Sequence, residues 1–429
     1  MKSILEPQIP KGTRDFLPSD MVKRDYVLKK MKSVFVNYGY DAIETPALEY
    51  AKTILEKYGD EGAKLTYTFK DHGGRLLALR YDQTVPFARF VAANFHDLPM
   101  PFKRYQISPV WRADKPARGR YREFYQCDVD IVGTDSLLAE GEIVRLMADV
   151  FQALNFKQFV IKFNSRRLMN NVLSRLDIPR ETQVSVIRIL DKLEKIGKDD
   201  VLQLLKELLS AKTAELLLES VSLTGTNEEK MKWLKKDLPP EISEFLTICN
   251  QFGVPQEALV FEPSLARGLD YYTGLVFEAS VPGINLGPVC AGGRYDDLCS
   301  TFSPEKISGV GVAFGFDRIM LAMEELMMLV GIRLNSQVLV TYFEETLEHS
   351  LKIVNDLREA GIASELYFQP DRLSKQMKYA DKKGIPFVIL CGPDEAAKGE
   401  AVIKVMKIGK QKTIPQNQLS LYLMGYHES

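Results

Sequence analysis

Polar and apolar side chains alternate along the second of two extended segments that flank an arginine-rich loop. Residues 125, 127, 129 and 131 are Tyr, Cys, Val and Ile, whereas the opposite face carries Phe124, Gln126, Asp128 and Asp130. The pattern predicts a hairpin between Phe102 and Gly133 with a cationic tip from Arg112 to Arg122. The polar face of its second arm is either solvated or directed into a binding site.

Helical spacing of apolar residues appears earlier in the chain. Val27, Met31, Val34 and Tyr38 predict an amphipathic helix from Met21 to Tyr38, with Ser19 or Asp20 as its cap and Gly39 at its end. An extended segment follows from Tyr40 to Tyr50. Because proline cannot donate to a strand ladder, Pro46 predicts an edge or an interface there.

A second hairpin is predicted from residues 65–70 and 75–82, which are separated by the turn sequence DHGG. Arg80, Asp82 and Thr84 share one parity at its end. We expect Thr84 to cap a helix that has Pro86 in its first turn.

The remaining pattern predicts the domain organisation. Residues 177–250 are rich in leucine and lysine, with a helical pattern typical of an inserted module, and strand patterns resume at Leu259. Strands and helices alternate from Ser336, with helices ending at Gly361 and Gly384. We therefore predict an α+β fold: a body with an antiparallel sheet over residues 1–330, carrying the helical insertion, and a small α/β domain over 336–429.

Composition excludes several classes of protein. Charged residues make up 26% of the 429 residues and hydrophobic ones 45%, a mixture typical of globular domains. The formal net charge is −1, so any contact with RNA must use local basic patches. No apolar run approaches the length of a membrane span, and the first residues do not resemble a targeting signal, so we expect no membrane association and a cytoplasmic location.

The spacing of the cysteine and histidine residues does not match a redox, zinc-binding or catalytic motif. The five cysteines form no CxxC pair and are expected to be reduced and mostly buried. The four histidines are too dispersed for a zinc site or a Ser/His/Asp triad.

Glycine and arginine motifs indicate an anion site. No P-loop is present, and Gly309, Gly311 and Gly315 are spaced one residue away from the dinucleotide fingerprint. These glycines favour a strand that runs close beneath a ligand or its neighbours. Arg318 follows in the first turn of a predicted helix, Phe316–Met328, where it either binds an anion or pairs with a neighbouring carboxylate.

Further arginines and tyrosines lie in loops between strands. Arg112, Arg120, Arg122 and Arg267 carry the guanidinium group suited to phosphate or carboxylate. Tyr271 and Tyr272 offer hydroxyls to a polar ligand, although adjacent strand residues face opposite sides, so at least one ring is expected to be structural.

These stretches together resemble a known family. Over nearly its full length the chain resembles a class II aminoacyl-tRNA synthetase, specifically histidyl-tRNA synthetase. The three class motifs correspond to YGYDAIETPALE, to the arginine-rich hairpin and to GVGVAFGFDRIM. The stretches LRYDQTVPFARF and ARGLDYYTGLVFE are far more specific, and GTRDFLP and AGGRYDDL agree with them.

The resemblance implies a role for each candidate residue. ATP would lie on the antiparallel sheet, with its adenine on Phe124, its α-phosphate at Arg112 and its distal phosphates at Arg318 with Mg²⁺; Arg120 also belongs to the implied ATP site. The resemblance places the α-ammonium of L-histidine at Asp82, Thr84 and Gln126, its carboxylate near Arg267, and its imidazole at Asp130 and Tyr272, with help from Tyr271. Arg112 and Arg267 would be the catalytic residues. Asp128 receives no role, and no protein ligand of Mg²⁺ is assigned.

The resemblance also implies partners. These are histidine tRNA, whose anticodon would contact the C-terminal domain, and a second copy of the chain, since Pro46 corresponds to the family's dimer interface. Lysines at 375, 378, 382, 383 and 404 either meet tRNA phosphates or form a solvated face. The KPARGR wording departs from many bacterial members at Ala117, in the loop expected to approach the extra 5′ nucleotide of this tRNA.

Two relatives share this fold without charging tRNA. One is the histidine-sensing regulatory subunit of ATP phosphoribosyltransferase, which generally lacks the C-terminal domain, and the other is a pseudo-synthetase sensor module. Synthetases for proline, threonine or glycine share the class motifs, but ARGLDYYTG opposes them.

Overall fold

A computed structural model of the chain describes residues 5–266, 272–297, 299–332 and 335–426, with the side chains of 56–61 left aside. The chain forms two compact units. The first contains the N-terminal residues up to Asp15 and Val27–Met328, and the second contains Phe16–Tyr26 and the chain from Leu329 onward.

The helices as far as residue 325 begin at Pro18, and the first of them contains residues of both units. They are α1 Pro18–Asn37, α2 Ala51–Leu65, α3 Thr84–Ala93, α4 Leu138–Ala153, α5 Arg166–Arg175, α6 Arg180–Leu190, α7 Leu193–Ile196, α8 Lys198–Lys206, α9 Ala211–Val221, α10 Asn227–Trp233, α11 Pro240–Gln251 and α12 Phe316–Glu325. The second unit adds α13 Leu347–Glu359, α14 Leu373–Lys383, α15 Pro393–Ala397 and α16 Leu419–Met424.

The strands fall into three sheets. Those of the first unit are β1 Asp41–Ala42, β2 Leu48–Tyr50, β3 Thr68–Lys70, β4 Leu76–Leu79, β5 Phe102–Trp111, β6 Glu123–Val132, β7 Val160–Ser165, β8 Leu259–Phe261, β9 Leu275–Ser280, β10 Cys290–Tyr295 and β11 Gly309–Gly315. Those of the second unit are β12 Val338–Val340, β13 Ser364–Leu366, β14 Phe387–Leu390, β15 Glu400–Val405 and β16 Gln411–Pro415.

An eight-stranded sheet in the order β1-β5-β6-β11-β10-β9-β7-β8 forms the centre of the first unit. The pairs β1–β5 and β7–β8 are parallel, and the pairs between them are antiparallel. The predicted hairpin is β5–β6, in register from Phe102 opposite Val132 to Trp111 opposite Glu123. Trp111 Nε1 donates to Glu123 Oε2 at 2.8 Å, which closes the ladder where the arginine-rich tip begins.

The first predicted helix is present and starts three residues earlier than expected. Asp20 accepts a hydrogen bond from Leu17 N at 3.0 Å, so its carboxylate acts at the N-terminal turn. Val27 and Met31 are fully buried, as the spacing predicted. Gly39 has a φ of 74°, a left-handed conformation that ends the helical path at little steric strain.

Pro46 divides the extended segment into two short strands of different sheets. β1 is the edge strand of the large sheet, and β2 is an edge strand of the three-stranded sheet β2-β4-β3. The edge prediction is therefore confirmed. The turn between β3 and β4 is held by Asp71 Oδ1, which accepts from Gly73 N and Arg75 N.

The expectation that Thr84 caps α3 is wrong. Thr84 is the first helical residue and its side chain makes no capping bond. The carboxylate of Asp82 accepts from Val85 N instead, at 3.2 Å. Asp82 therefore holds the start of the helix, because a carboxylate two residues earlier in the chain reaches the same free N–H groups.

The inserted module is helical throughout, as predicted, and consists of α6 to α11. Side chains attach it to the large sheet. Asn227 donates to Leu259 O and accepts from Phe261 N on β8. Lys162 of β7 pairs with Glu194 of α7.

The second unit contains the sheet β13-β12-β14-β15-β16. β12 pairs in parallel with β13 and β14, and the two last pairs are antiparallel. Gly361 and Gly384 have positive φ, as the predicted helix ends required. Strand β16 and helix α16 lie beyond the strand that the sequence indicated as the last. Among the described helices, none has the length and apolar character that crossing a bilayer requires.

Candidate active site

A cleft of about 580 Å³ opens over the central sheet of the first unit. Its floor is formed by β6, β10 and β11, and its rim by the tip of the β5–β6 hairpin and the first turn of α12. The position follows from the sequence, because the hairpin and the glycine-rich strand β11 are neighbours in the sheet.

The polar face of β6 is the floor of this cleft. Phe124, Gln126, Asp128 and Asp130 all line it, whereas Cys127 and Val129 on the opposite face are fully buried in the core. Asp128 and Asp130 are only 2% and 3% exposed, so the face is not a solvated edge. The alternation in the sequence therefore marks the floor of a cleft.

Asp130 is held by two buried side chains. Tyr295 donates its hydroxyl to Oδ1 at 2.7 Å. Arg104 Nη2 lies 2.7 Å from Oδ2, close enough for an ion pair although not aligned as a hydrogen bond. Burial raises the pKa of Asp130, while Arg104 and the Tyr295 hydrogen bond oppose that rise. These contacts fix the carboxylate at the inner end of the cleft.

The glycines of β10 and β11 leave space for side chains of the floor. A Cβ atom at Gly311 would lie 1.9 Å from Asp130 Oδ1, and one at Gly293 would lie 3.1 Å from Tyr272 Cδ1. The prediction of a close approach at these glycines is confirmed for Gly311, which faces Asp130 in the register of β6 and β11.

Asp128 differs from Asp130 in its hydrogen bonding. Its Oδ1 is buried, and no described donor forms a hydrogen bond with it. Burial raises the pKa of Asp128 well above the usual value for aspartate, and the Arg104 charge opposes this while Asp130 and Asp82 add to it. A buried carboxylate oxygen that accepts no hydrogen bond from the described residues is costly, so the position calls for a functional explanation.

Arg112 lies where the first arm of the hairpin ends. Its Nε donates to Tyr81 O at 3.1 Å, and its guanidinium carbon lies 4.3 Å from the Tyr81 ring and 5.2 Å from the Phe124 ring. The guanidinium and the aromatic face of Phe124 are thus presented together at the mouth of the cleft.

The other arginines of the tip have acidic or carbonyl partners. Arg120 donates to Asp114 at 2.7 Å and is 56% exposed, and Asp114 raises the pKa of Arg120. Arg118 pairs with Glu325 at the end of α12. Arg122 donates to Asp114 O and Lys11 O, which makes it a support for the N-terminal segment.

Arg318 reaches the opposite rim from α12. It donates to Gly119 O at 3.2 Å and to Pro288 O at 2.7 Å, and it lines the cleft. The neighbouring Asp317 accepts from Arg14 Nη2 at 2.7 Å and from Tyr125 N at 2.8 Å. Asp317 thus joins α12 to the hairpin, and Arg14 of the GTRDFLP stretch holds its carboxylate in place.

Four further predicted residues lie in or beside the cleft. Thr84, Gln126 and Tyr272 line it, and the buried Oε1 of Gln126 accepts no hydrogen bond from the described residues. Asp82, 6% exposed, is not among the lining residues and is bonded to the start of α3. Arg267 and Tyr271 lie outside the described residues.

Three residues of the site were not found from the sequence. Arg104 and Tyr295 hold Asp130, and Lys195 of the helical insertion also lines the cleft. Arg104 had a detectable signal, since pairing the arms of the hairpin places Arg104 opposite Asp130. Tyr295 and Lys195 had none, because their positions depend on contacts between distant segments.

Within the described ranges, no group of three or more His, Cys, Asp or Glu residues could hold a metal ion. All five cysteines are free and buried, as expected.

Comparison with known proteins identifies related chains. A family model described as histidyl-tRNA synthetase matches residues 12–319, and one described as an anticodon binding domain matches residues 335–424. The histidine–tRNA ligase of Cytophaga hutchinsonii is 40% identical over 439 residues, which cover 95% of this chain and 97% of that protein.

Solved structures also match this chain over most of its length. The crystal structure of histidyl-tRNA synthetase from Nostoc sp. PCC 7120 has a TM-score of 0.86 at 30% identity, covering 98% of this chain and 99% of that chain. A protein titled ATP phosphoribosyltransferase regulatory subunit/histidyl-tRNA synthetase from Bacillus halodurans has a TM-score of 0.76 at 24% identity, covering 91% and 99%, a likeness of fold alone. The predicted α+β fold is confirmed.

Proposed function

The chain belongs to the histidyl-tRNA synthetase family, and we propose that it activates L-histidine with ATP and transfers it to the 3′ end of histidine tRNA. It is thus an aminoacyl-tRNA ligase. The observation that carries the proposal is the face of β6, since Phe124, Gln126 and Asp130 line one cleft with Arg112 and Arg318. No comparison favours a non-charging paralogue.

ATP is assigned to the outer half of the cleft. The adenine stacks on Phe124, the α-phosphate binds Arg112 and the distal phosphates bind Arg318. Aromatic stacking and bidentate guanidinium contacts are the usual means of binding a base and a phosphate. Arg120 is partly exposed and paired with Asp114, so it can exchange that carboxylate for a phosphate when ATP enters.

Histidine is assigned to the inner half. Its α-ammonium contacts Asp82, Thr84 and Gln126, and its imidazole contacts Asp130 and Tyr272, with Tyr271 assisting. The buried, unpartnered Oε1 of Gln126 supports this placement, because an acceptor needs a donor there. A site that hydrogen-bonds its substrate rejects an analogue lacking the donors by about 10⁴–10⁵-fold.

The reaction has two steps. A carboxylate oxygen of histidine attacks the α-phosphorus of ATP in line, and the bond to pyrophosphate breaks to give histidyl-adenylate. A hydroxyl of the terminal ribose of the tRNA then attacks the histidyl carbonyl, and AMP leaves. The first step needs no protein nucleophile or base, because the carboxylate is already charged, so Arg112 and Arg267 act by position and charge.

Mg²⁺ is proposed to enter with the nucleotide. The described residues provide no three-ligand cluster, and Mg²⁺ commonly binds through substrate phosphates with one or two carboxylates. When bound, the ion would neutralise charge on the phosphates beside Arg318.

The tRNA contacts are assigned to both units. The second unit would recognise the anticodon. On α14, Lys375 pairs with Asp371 and Lys383 with Glu365, whereas Lys378 and Lys382 are exposed, which favours the latter two as phosphate contacts. Lys404 lies on β15. The hairpin loop at Ala117 would approach the extra 5′ nucleotide.

We also propose a homodimer located in the cytoplasm. One face of the three-stranded sheet supports the dimer. Leu48, Tyr50 and Phe69 are 43%, 49% and 42% exposed, and the register places them on one face with the half-buried Leu77 and Leu79. An exposed apolar face beside the edge residue Pro46 is suited to a second copy.

Histidine-dependent ATP–pyrophosphate exchange tests the first step. We expect exchange with histidine and none with phenylalanine or glutamine. Charging of histidine tRNA with and without its extra 5′ nucleotide then tests the second step and the Ala117 loop. Histidine binding without exchange would contradict the proposal and favour a histidine sensor.

A further inference from the structure

The floor of the cleft contains one carboxylate that the proposed function leaves unused. Asp128 lies between Gln126 and Asp130 on the same face of β6 and is 2% exposed. Its Oδ1 accepts no hydrogen bond from the described residues. The side chain is directed to the space where a ligand would lie, since it lines the cleft with its two neighbours.

Within the described part of the chain, two guanidinium groups act on Asp128, and each of them also has another partner. Arg104 of β5 is the buried guanidinium nearby, and it lies against Asp130. Arg112 bonds to Tyr81 O at the mouth of the cleft. Burial, and then the Asp128 carboxylate, raise the pKa of the Cys290 thiol on β10, but the register with β11 and β6 places that thiol on the opposite, core face of the sheet.

Two further carboxylates adjoin this one. Asp130 follows on β6, and Asp82 precedes α3; both act on Asp128 by like-charge repulsion. Among the described residues, three carboxylates therefore interact with one another beside two guanidinium groups, those of Arg104 and Arg112. A positive charge that arrives with a ligand would offset the third carboxylate.

We propose that Asp128 is a further histidine-binding residue, which accepts a hydrogen bond from the substrate's α-ammonium. This inference rests on the proposed function and extends its amino-acid subsite. The ammonium is the suitable group because it stays charged through adenylate formation and is already assigned to Gln126 and Asp82, which adjoin Asp128. A charge-assisted bond in this buried place is among the stronger ones available.

Binding of the ammonium at Asp128 should also change the protonation of this carboxylate. Burial and the adjacent carboxylates raise the pKa of Asp128, so the empty site favours the protonated form of this side chain. When the ammonium binds, its positive charge replaces that proton, which is released to solvent. Histidine binding should therefore release protons and should weaken as the pH falls.

The test is isothermal titration of the full chain with L-histidine in two buffers of different ionisation enthalpy, for wild type, Asp128→Asn and the control Asp41→Asn. Asp41 is exposed at the edge strand β1. We expect proton release by wild type and by the control. For Asp128→Asn we expect none from this site and an affinity about 10–100-fold lower, as expected for a lost hydrogen bond to a charged group.

A second ligand separates binding of the ammonium from a structural role. The probe is 3-(imidazol-4-yl)propanoate, which lacks the ammonium. If Asp128 binds the ammonium, wild type and Asp128→Asn bind this probe equally and without release of a proton from Asp128. Equal weakening of both ligands in the variant would overturn the assignment, as would unchanged histidine affinity and proton release. Failure of the proposed function is a different result, namely no histidine-dependent pyrophosphate exchange by wild type.

Discussion

Gly311 and Asp130 face each other across β11 and β6, and the carboxylate occupies space that any side chain at 311 would fill. A Cβ atom there would lie 1.9 Å from Asp130 Oδ1 and 2.8 Å from Val129 O. The glycine therefore belongs to the proposed amino-acid site, although it offers no functional group.

Gly311→Ala tests this relationship. We expect the new methyl group to displace Asp130 and weaken histidine binding by about 10-fold or more, since overpacking costs about 1–3 kcal/mol. The measurement is the KM for histidine in pyrophosphate exchange. Gly73→Ala, in the exposed β3–β4 turn where a Cβ meets its nearest neighbour at 3.4 Å, is the control. A wild-type KM in Gly311→Ala would contradict the spatial argument.

Asp130→Asn should weaken both histidine binding and the fold. The amide cannot balance Arg104, which is 0% exposed, and an uncompensated buried charge costs about 3–5 kcal/mol. Thermal unfolding and exchange with histidine and competing amino acids are the measurements.

Tyr295→Phe provides the comparison for Asp130→Asn, because it removes one hydrogen bond and leaves the ion pair. It should lower the unfolding free energy by only about 1 kcal/mol. If Asp130→Asn retained wild-type KM and selectivity for histidine, the imidazole-binding role would be wrong.

Arg112→Ala should lower the rate of adenylate formation by about 10²–10³-fold, because a fixed charge at the reacting phosphate is lost. The change should appear in kcat of exchange more than in histidine affinity. Arg267→Ala should behave in the same way. Arg75→Ala, which removes an exposed pair with Asp71, is the control and should leave kcat unchanged.

The dimer proposal predicts that a charge on the exposed sheet face separates the subunits. Leu48→Asp or Phe69→Asp should shift the mass measured by light scattering toward that of one chain. Leu76→Asp is the matched control, since Leu76 is 47% exposed but lies opposite Lys70, on the other face of β4. A dimer that survives both changes would place the interface elsewhere.

Because Asp128 is a buried carboxylate, we expect it to make the unfolding free energy depend on pH in a specific direction. Its pKa in the folded state is raised, so the folded chain binds more protons than the unfolded one between about pH 4 and that raised pKa. The unfolding free energy should therefore fall as the pH rises through this window. Asp128→Asn should reduce that slope and raise stability above the window, measured by urea unfolding at several pH values. An unchanged slope would show that Asp128 is charged at little cost.

Local patterns were sufficient for much of the architecture. Period-two alternation predicted the β5–β6 hairpin and its polar face, helical spacing predicted α1, and glycines predicted the ends of helices with positive φ. Such features depend on near neighbours in the chain. Boundaries shifted by a few residues where a cap lay outside the apolar pattern, as at Asp20 and Asp82.

The sequence by itself determined which residues are proposed to carry the chemistry. Arg112, Phe124, Gln126, Asp130 and Arg318 follow from strand parity, loop position and the family's motifs, and all five line the cleft. What the tertiary structure alone decided is how their charges are balanced. Arg104 and Tyr295 hold Asp130, while Oδ1 of Asp128 is buried and accepts no hydrogen bond from the residues that the structure describes. Burial and the pairing of distant segments set these energies, and neither is encoded at any one position in the chain.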